Sequence, residues 1–201
     1  MKAPANIAIG PATGADIPAV ADVLATALRE TEIAHWLVPD RAARHRVYDN
    51  YFRLVTPWFV EHGTAYLLDD GAAAALWVTC SGRFEPDIAD YDARLADACG
   101  AATPRFVELD EAMHARHLDV PHEYLAFLGV APHQQNHGIG TALLTRHHAV
   151  LDAAARPSYL TATGRRNAAL YERNGYRHRD AYPIASGSPP MYPMWRTPPT
   201  G

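Results

Sequence analysis

Apolar positions along the chain follow two periods, and the switches between them predict the elements. Residues 6–10 read as a short first strand, stopped by Pro11 and Gly14. From Asp16 to Glu30, Ile17, Val20, Val23, Leu24 and Leu28 recur near helical spacing. His35 and Trp36 then fall in a connecting loop. Asp40 is placed to cap a second helix reaching about Glu61, and Gly63 closes it. That helix has an apolar stripe through Val47, Tyr48, Tyr51, Phe52, Val55, Trp58 and Phe59. Asp70-Gly71 between two apolar runs predicts a tight hairpin, with residues 64–69 and 72–80 as antiparallel neighbours.

The second half is patterned differently. Ile88, Tyr91, Leu95 and Ala98 recur at helical spacing, Gly100 interrupts, and Phe106, Leu109 and Met113 resume it. Residues 83–120 are therefore a helical insert. Residues 123–130 (EYLAFLGV) form a nearly continuous apolar run, the mark of a central strand. A helix from about His137 to Ala155 follows, with Ile139, Leu143, Leu144, Val150 and Leu151 inward. Then come a strand at 159–163, a short helix at 166–174, and strands at 176–185 and 191–196. The order mixes an antiparallel first half with a β-α-β unit in the second. The fold class is α/β (α+β): a mixed, mostly antiparallel central sheet flanked by helices, in one domain over residues 1–201. The last residues, TPPTG, read as a frayed tail.

Composition narrows the function without naming it. The chain has 201 residues, 48% hydrophobic and 20% charged, enough to bury a core without staples. A net charge of −4 with scattered arginines speaks against nucleic acid. No run approaches the apolar length of a membrane span, and the N-terminus lacks the apolar core of a signal peptide, so a cytoplasmic protein is expected. Cys80 and Cys99 stand apart, and Cys80 reads as a small buried hydrophobe. The 11 histidines show no metal-ligand spacing, so no metal is expected.

The chemistry concentrates where the 123–130 strand runs through Ala131 and Pro132 into a polar turn, then into a helix opening on two glycines, Gly138 and Gly140. A helix start offers free backbone N–H groups and the positive end of its dipole, and glycine lets a bulky anion approach them. That is a cradle for a pyrophosphate. A P-loop is absent, and Leu143 stands where a dinucleotide fingerprint needs glycine or alanine. What remains is QxxGxG over Gln135, Gly138 and Gly140. With Leu128-Gly129-Val130-Ala131-Pro132 before it, and Asn167, Tyr171, Gly175 and Tyr176 after, the chain resembles the GNAT superfamily of N-acetyltransferases. From residue 64 onward it is similar to the puromycin N-acetyltransferase group.

The resemblance implies acetyl-CoA as co-substrate and direct attack of an amine on its thioester. The pyrophosphate would lie on Gln135, Asn136, His137, Gly138, Ile139, Gly140 and Thr141, and the pantetheine arm on the backbone of Leu128 and Val130. Asn136 and His137 depart from the usual glycine and lysine or arginine. Asn136 tolerates a left-handed turn, whereas His137 lacks a fixed charge, so weaker CoA binding is expected. Asn167 and Tyr171, four apart, share a helix face toward the thioester. Tyr171 is the expected general acid, since a phenol near pKa 10 stays protonated at rest. Glu123 is the expected base, with His122 and Glu32 as alternatives. His35 and Trp36 are the expected acceptor contacts, ahead of Tyr51, Trp58, Tyr192 and Trp195. Gly129 in mid-strand marks either a bulge or a close approach. The insert either walls the acceptor pocket or forms an oligomer surface, a homodimer being one outcome. The expected acceptor is a small-molecule primary amine. The rivals are a protein N-terminus or lysine, and a CoA-binding module without turnover.

Overall fold

The structure is a computed structural model that describes residues 9–68 and 70–199. Of the expected first strand, residues 6–8 lie outside the described residues; β1 spans Ile9–Pro11. Residues 200 and 201 of the expected tail also lie outside them. Helix α1 is Ile17–Leu28 and α2 is Glu32–Leu37. Helix α3, Arg41–His62, starts as its sequence predicts, with the Asp40 carboxylate accepting from the Ala43 N–H at 2.7 Å. Strands β2 (Thr64–Leu68) and β3 (Ala73–Cys80) form the hairpin. The insert holds α4 (Tyr91–Cys99) and α5 (Thr103–Arg116). Then follow β4 (His122–Val130), α6 (Ile139–Ala153), β5 (Ser158–Ala162) and α7 (Arg165–Arg173).

The C-terminal strands correct the expectation of one long strand over 176–185. Only Arg177–His178 (β6) and Tyr182–Pro183 (β7) pair, both with β8 (Pro190–Arg196). Between them the Arg179 N–H reaches the Pro193 carbonyl at 2.9 Å and the strand breaks off. Val150 was expected inward but is 58% exposed, beyond the edge of the stripe of α6.

The sheet runs β1-β2-β3-β4-β5-β8-β6, and only β4–β5 is parallel. Helices α1 and α3 pack on one face and α6 on the other. The feature that makes a site is a split between β4 and β5. They pair only from Glu123–Ser158 to Leu125–Leu160, while β4 continues to Val130 along β3. Opposite Leu76 and Trp77 the register jumps from Phe127 to Leu125, leaving Ala126 as an extra residue. Such a bulge bends its strand, here away from β5. Gly129 is not the bulge. It is a close approach: a Cβ there would meet Leu24 and Ala27 of α1 at 3.0 Å.

At the end of α3 the packing leaves no room for any side chain. A Cβ on Gly63 would stand 2.1 Å from the Trp77 carbonyl oxygen and 2.9 Å from that of Phe59. Backbone on a central strand cannot yield as a flexible side chain can. Gly63→Ala is expected to cost about 3 kcal/mol, seen as a Tm lower by roughly 6–12 °C for a chain of this size. An unchanged Tm would show that the α3–β3 junction relaxes freely.

Candidate active site

The open side of β4 beyond Leu125 leads into a cleft of about 760 Å³. One wall is the backbone of Leu128, Gly129 and Val130; on this stretch the groups facing away from β3 have no β5 partner. The turn after β4 is fixed by the Gln135 amide, which donates to the Val130 carbonyl at 3.1 Å. Asn136 takes a left-handed backbone, φ +66°, and Gly138 follows at φ +82°. Asn does this at least cost among non-glycine residues, so the loop keeps its turn without the usual glycine. The first bond inside α6 is from the Ala142 N–H to the Gly138 carbonyl. The preceding amides of Ile139, Gly140 and Thr141 are thus left for another acceptor, and all three residues line the cleft.

Gln135, Asn136, Gly138, Asn167 and Tyr171 line the same cleft. His137 is exposed and does not. The positive charge comes from the facing helix instead: Arg165, Arg166 and Arg173 of α7 stand along the cleft. Arg166 also donates to the Asn136 side-chain oxygen at 3.2 Å, tying α7 to the loop. Nothing local to the loop in the sequence marks these arginines, which lie some thirty residues downstream of it. The one available signal was their cluster on the helix that also holds Asn167. Free amides, a dipole and guanidinium groups on one cleft fit the phosphates of a coenzyme A.

A second cavity, of about 450 Å³, opens on the other side of Tyr171. Its walls are aromatic and aliphatic: Tyr48, Tyr51, Phe52 and Phe59 of α3, Phe127 of β4, and Phe84 and Phe106 of the insert. The insert is therefore a wall of this cavity. Leu128, Thr163, Asn167 and Tyr171 line both cavities, so the two meet there. Asn167 and Tyr171 do share the face of α7 that their spacing predicts. The Asn167 amide donates to Thr163 Oγ1 at 3.3 Å. Tyr171 is 8% exposed, and burial raises its pKa above the ordinary value, which holds the phenol protonated. Among the described residues its hydroxyl has no hydrogen-bond partner within the chain.

Other expected site residues lie elsewhere. Glu123 points to the opposite face of the sheet, where Thr79 Oγ1 donates to it at 2.9 Å and His147 and Arg156 each approach at 3.3 Å. Burial alone would raise its pKa, but these donors hold it below the usual carboxylate range. It lines neither cavity, because alternation along β4 turns Tyr124, not Glu123, toward α3. His35 and Trp36 are on helix α2, not in a loop; His35 is exposed, Trp36 is half-buried against the core, and neither lines a cavity. His35 meets Glu30 at 3.3 Å, and Trp36 lies under the Arg105 guanidinium. Thr31, Ile33 and Leu37 reach the acceptor side in their place. Tyr51 lines that cavity, whereas Trp58, Tyr192 and Trp195 do not. Glu32 lines the first cleft.

The fold brings together one set of metal-capable groups that spacing did not show: Cys80, His117 and His122, within 4.8 Å of one another and all buried. The His122 Nδ1–H donates to the Val120 carbonyl at 2.7 Å, which leaves its Nε2 to accept from the His117 Nε2–H at 3.0 Å. Burial and the neighbouring ring push His117 down to about 3, and burial pushes the Cys80 thiol up to about 12. Neutral, mutually bonded groups of this kind tie the end of the insert to the sheet.

Comparison with known proteins agrees with this geometry. Residues 95–178 match the family model described as the acetyltransferase (GNAT) domain. Over 97% of its length the chain is similar, at 26% identity and a TM-score of 0.71, to an acetyltransferase from Corynebacterium glutamicum described as histone acetyltransferase HPA2 and related; 98% of that chain is covered. The fold is also that of arylalkylamine N-acetyltransferase 2 from Aedes aegypti (11% identity, TM-score 0.64, 96% and 99% of the two chains covered). It is shared too by the PaiA N-acetyltransferase from Thermoplasma acidophilum, solved with coenzyme A (11% identity, TM-score 0.59, 96% and 99% covered). The enzyme class is thus acyl transfer. Among the described residues no helix is long and apolar enough to cross a membrane.

Proposed function

We propose that this GNAT domain transfers an acetyl group from acetyl-CoA to the primary amine of a small molecule with an apolar body. The observation that carries the reading is the aromatic cavity of about 450 Å³ opening onto the donor cleft at Tyr171. Its size and lining suit a small molecule.

Acetyl-CoA supplies an activated thioester when bound; the chain's own residues do the rest. The α6 amides, Arg165 and Arg166 hold the phosphates. The open edge of β4 at Leu128 and Val130 takes an extended arm as an added strand would. Tyr171, protonated by its burial, gives a proton to the departing thiolate. The amine attacks from the aromatic cavity, whose walls keep water from competing. With Glu123 on the far face of the sheet, the amine's proton leaves through solvent or a group outside the expected set.

Calorimetry with acetyl-CoA tests the donor site. The wild type is expected to bind in the micromolar range, and Gly138→Trp to lose binding entirely. The indole would fill the cradle, and the residue needs a φ of +82° that a large side chain resists. An amine panel including puromycin, read by thiol release, tests the acceptor. Equal binding by the variant, or preference for peptide N-termini over small apolar amines, would overturn the reading.

A further inference from the structure

The acceptor cavity holds a charge that an apolar monoamine has no use for. Asp110, on α5, places a carboxylate on its wall. The Tyr91 hydroxyl donates to one oxygen, Oδ2, at 2.8 Å. Among the described residues no arginine, lysine or histidine nitrogen comes within 4.0 Å of Asp110. The other acidic and basic side chains on this cavity are Glu85, His114 and the neutral His117, with no arginine or lysine. Burial is what raises the Asp110 carboxyl to about 6, against the Tyr91 hydrogen bond that lowers it.

A carboxylate on an apolar wall without a counter-charge is costly, and a cation delivered by a ligand offsets that cost. The reacting amine must come to the junction lined by Leu128, Asn167 and Tyr171. Asp110 lines only the acceptor cavity and not the donor cleft. What meets Asp110 is therefore a different group from the one acetylated.

We propose that Asp110, held in place by Tyr91, is a distal cation subsite, and that the acceptor is two-headed: a primary amine at the Tyr171 junction and a second basic nitrogen at Asp110, joined by an apolar body. The proposal rests on the amine-acetylation reading and names its substrate class. A phenol beside a carboxylate suits a protonated nitrogen, which takes a charge-assisted bond to the free oxygen while Tyr91 holds the other.

The test uses matched arylalkyl amines that differ only in a second basic nitrogen at the far end. For the wild type, kcat/KM is expected to favour the diamine by about 10–100-fold, mostly through KM, as a desolvated charge pair would give. In Asp110→Asn, close to isosteric, that ratio is expected to fall to about 1. A wild-type ratio near 1, or a ratio unchanged in the variant, overturns the subsite. Calorimetry with the same two amines separates this from the broader reading. If neither amine is acetylated, the acetyl-transfer reading fails, while tighter diamine binding that Asp110→Asn removes still supports the subsite. Equal binding of the two amines overturns it.

Discussion

Tyr171→Phe is expected to lower kcat by about 100-fold or more while acetyl-CoA binds as before. The ring of Tyr171 packs against Tyr176 at 5.9 Å, an arrangement phenylalanine reproduces. Its backbone carbonyl accepts from the Asn174 and Tyr176 amides, which the change does not touch. The hydroxyl is the group removed, at the place where the two cavities meet. A positioned proton donor contributes typically about 10²–10⁴-fold, so the loss corresponds to about 3 kcal/mol or more of barrier. The split between constants is what identifies the role. A donor acting in the transition state lowers kcat and kcat/KM together, whereas a packing tyrosine would alter binding or Tm. Stopped-flow or steady-state thiol release, with calorimetry for acetyl-CoA, reads both. Turnover at the wild-type rate would remove Tyr171 from the chemistry.

Acid should unfold the protein early. His148 is buried against Tyr176, its Nε2 3.2 Å from the phenol oxygen, which in turn accepts from Ser158 Oγ at 2.9 Å. Burial pushes His148 down to about 4 and His117 to about 3, from an ordinary value near 6.5. Both folded values are depressed, so their contribution is fully present above about pH 6.5. It is lost as pH falls, because the unfolded chain takes up protons that the native state refuses. By pH 4 each ring costs about 3 kcal/mol. Asp110 acts in the opposite sense. Its folded value is raised to about 6, so its contribution is present below the ordinary aspartate value and lost as pH rises through 6. It gives back about 2–3 kcal/mol on the way down. The histidines win, and the net loss between pH 6.5 and 4 is on the order of 3–4 kcal/mol. Urea unfolding at fixed pH values measures it. His148→Gln, which keeps a partner for Tyr176, is expected to remove about 3 kcal/mol of that loss. A slope equal to wild type in the variant would show that His148 is protonated in the native state.

The two halves of the site differ in how readable they were. The proposed donor side is legible because its geometry is local: a strand, a turn and a helix start, all within Leu128–Thr141, form one wall of the cleft with their own backbone. Asn167 and Tyr171 were legible for the same reason, since helical spacing alone puts them on one face. The acceptor side was not. His35 and Trp36 were assigned to a loop because α2 is only six residues long, too short for a periodic signal. Its inward positions turn out to be Ile33, Ala34 and Leu37. Glu123 was named for its type and place at a strand end, yet strand alternation and the bulge at Ala126 decide which side chains face the cavity. Asp110 is one of several acidic residues on an amphipathic helix, and nothing local distinguishes a solvated carboxylate from one on a cavity wall.

By itself, then, the sequence determined the order of the elements, the hairpin at Asp70-Gly71, the central place of the 123–130 strand and the left-handed turn and open helix start that follow it. Each of these rests on interactions between residues near in the chain: periodicity, capping and backbone conformation. The tertiary structure alone decided the split between β4 and β5, the closing of the aromatic cavity by the insert, the arginines of α7 opposite the loop and the place of the Asp110 carboxylate on the cavity wall. Those depend on which surfaces meet across long sequence separations, and on the desolvation that follows when they do.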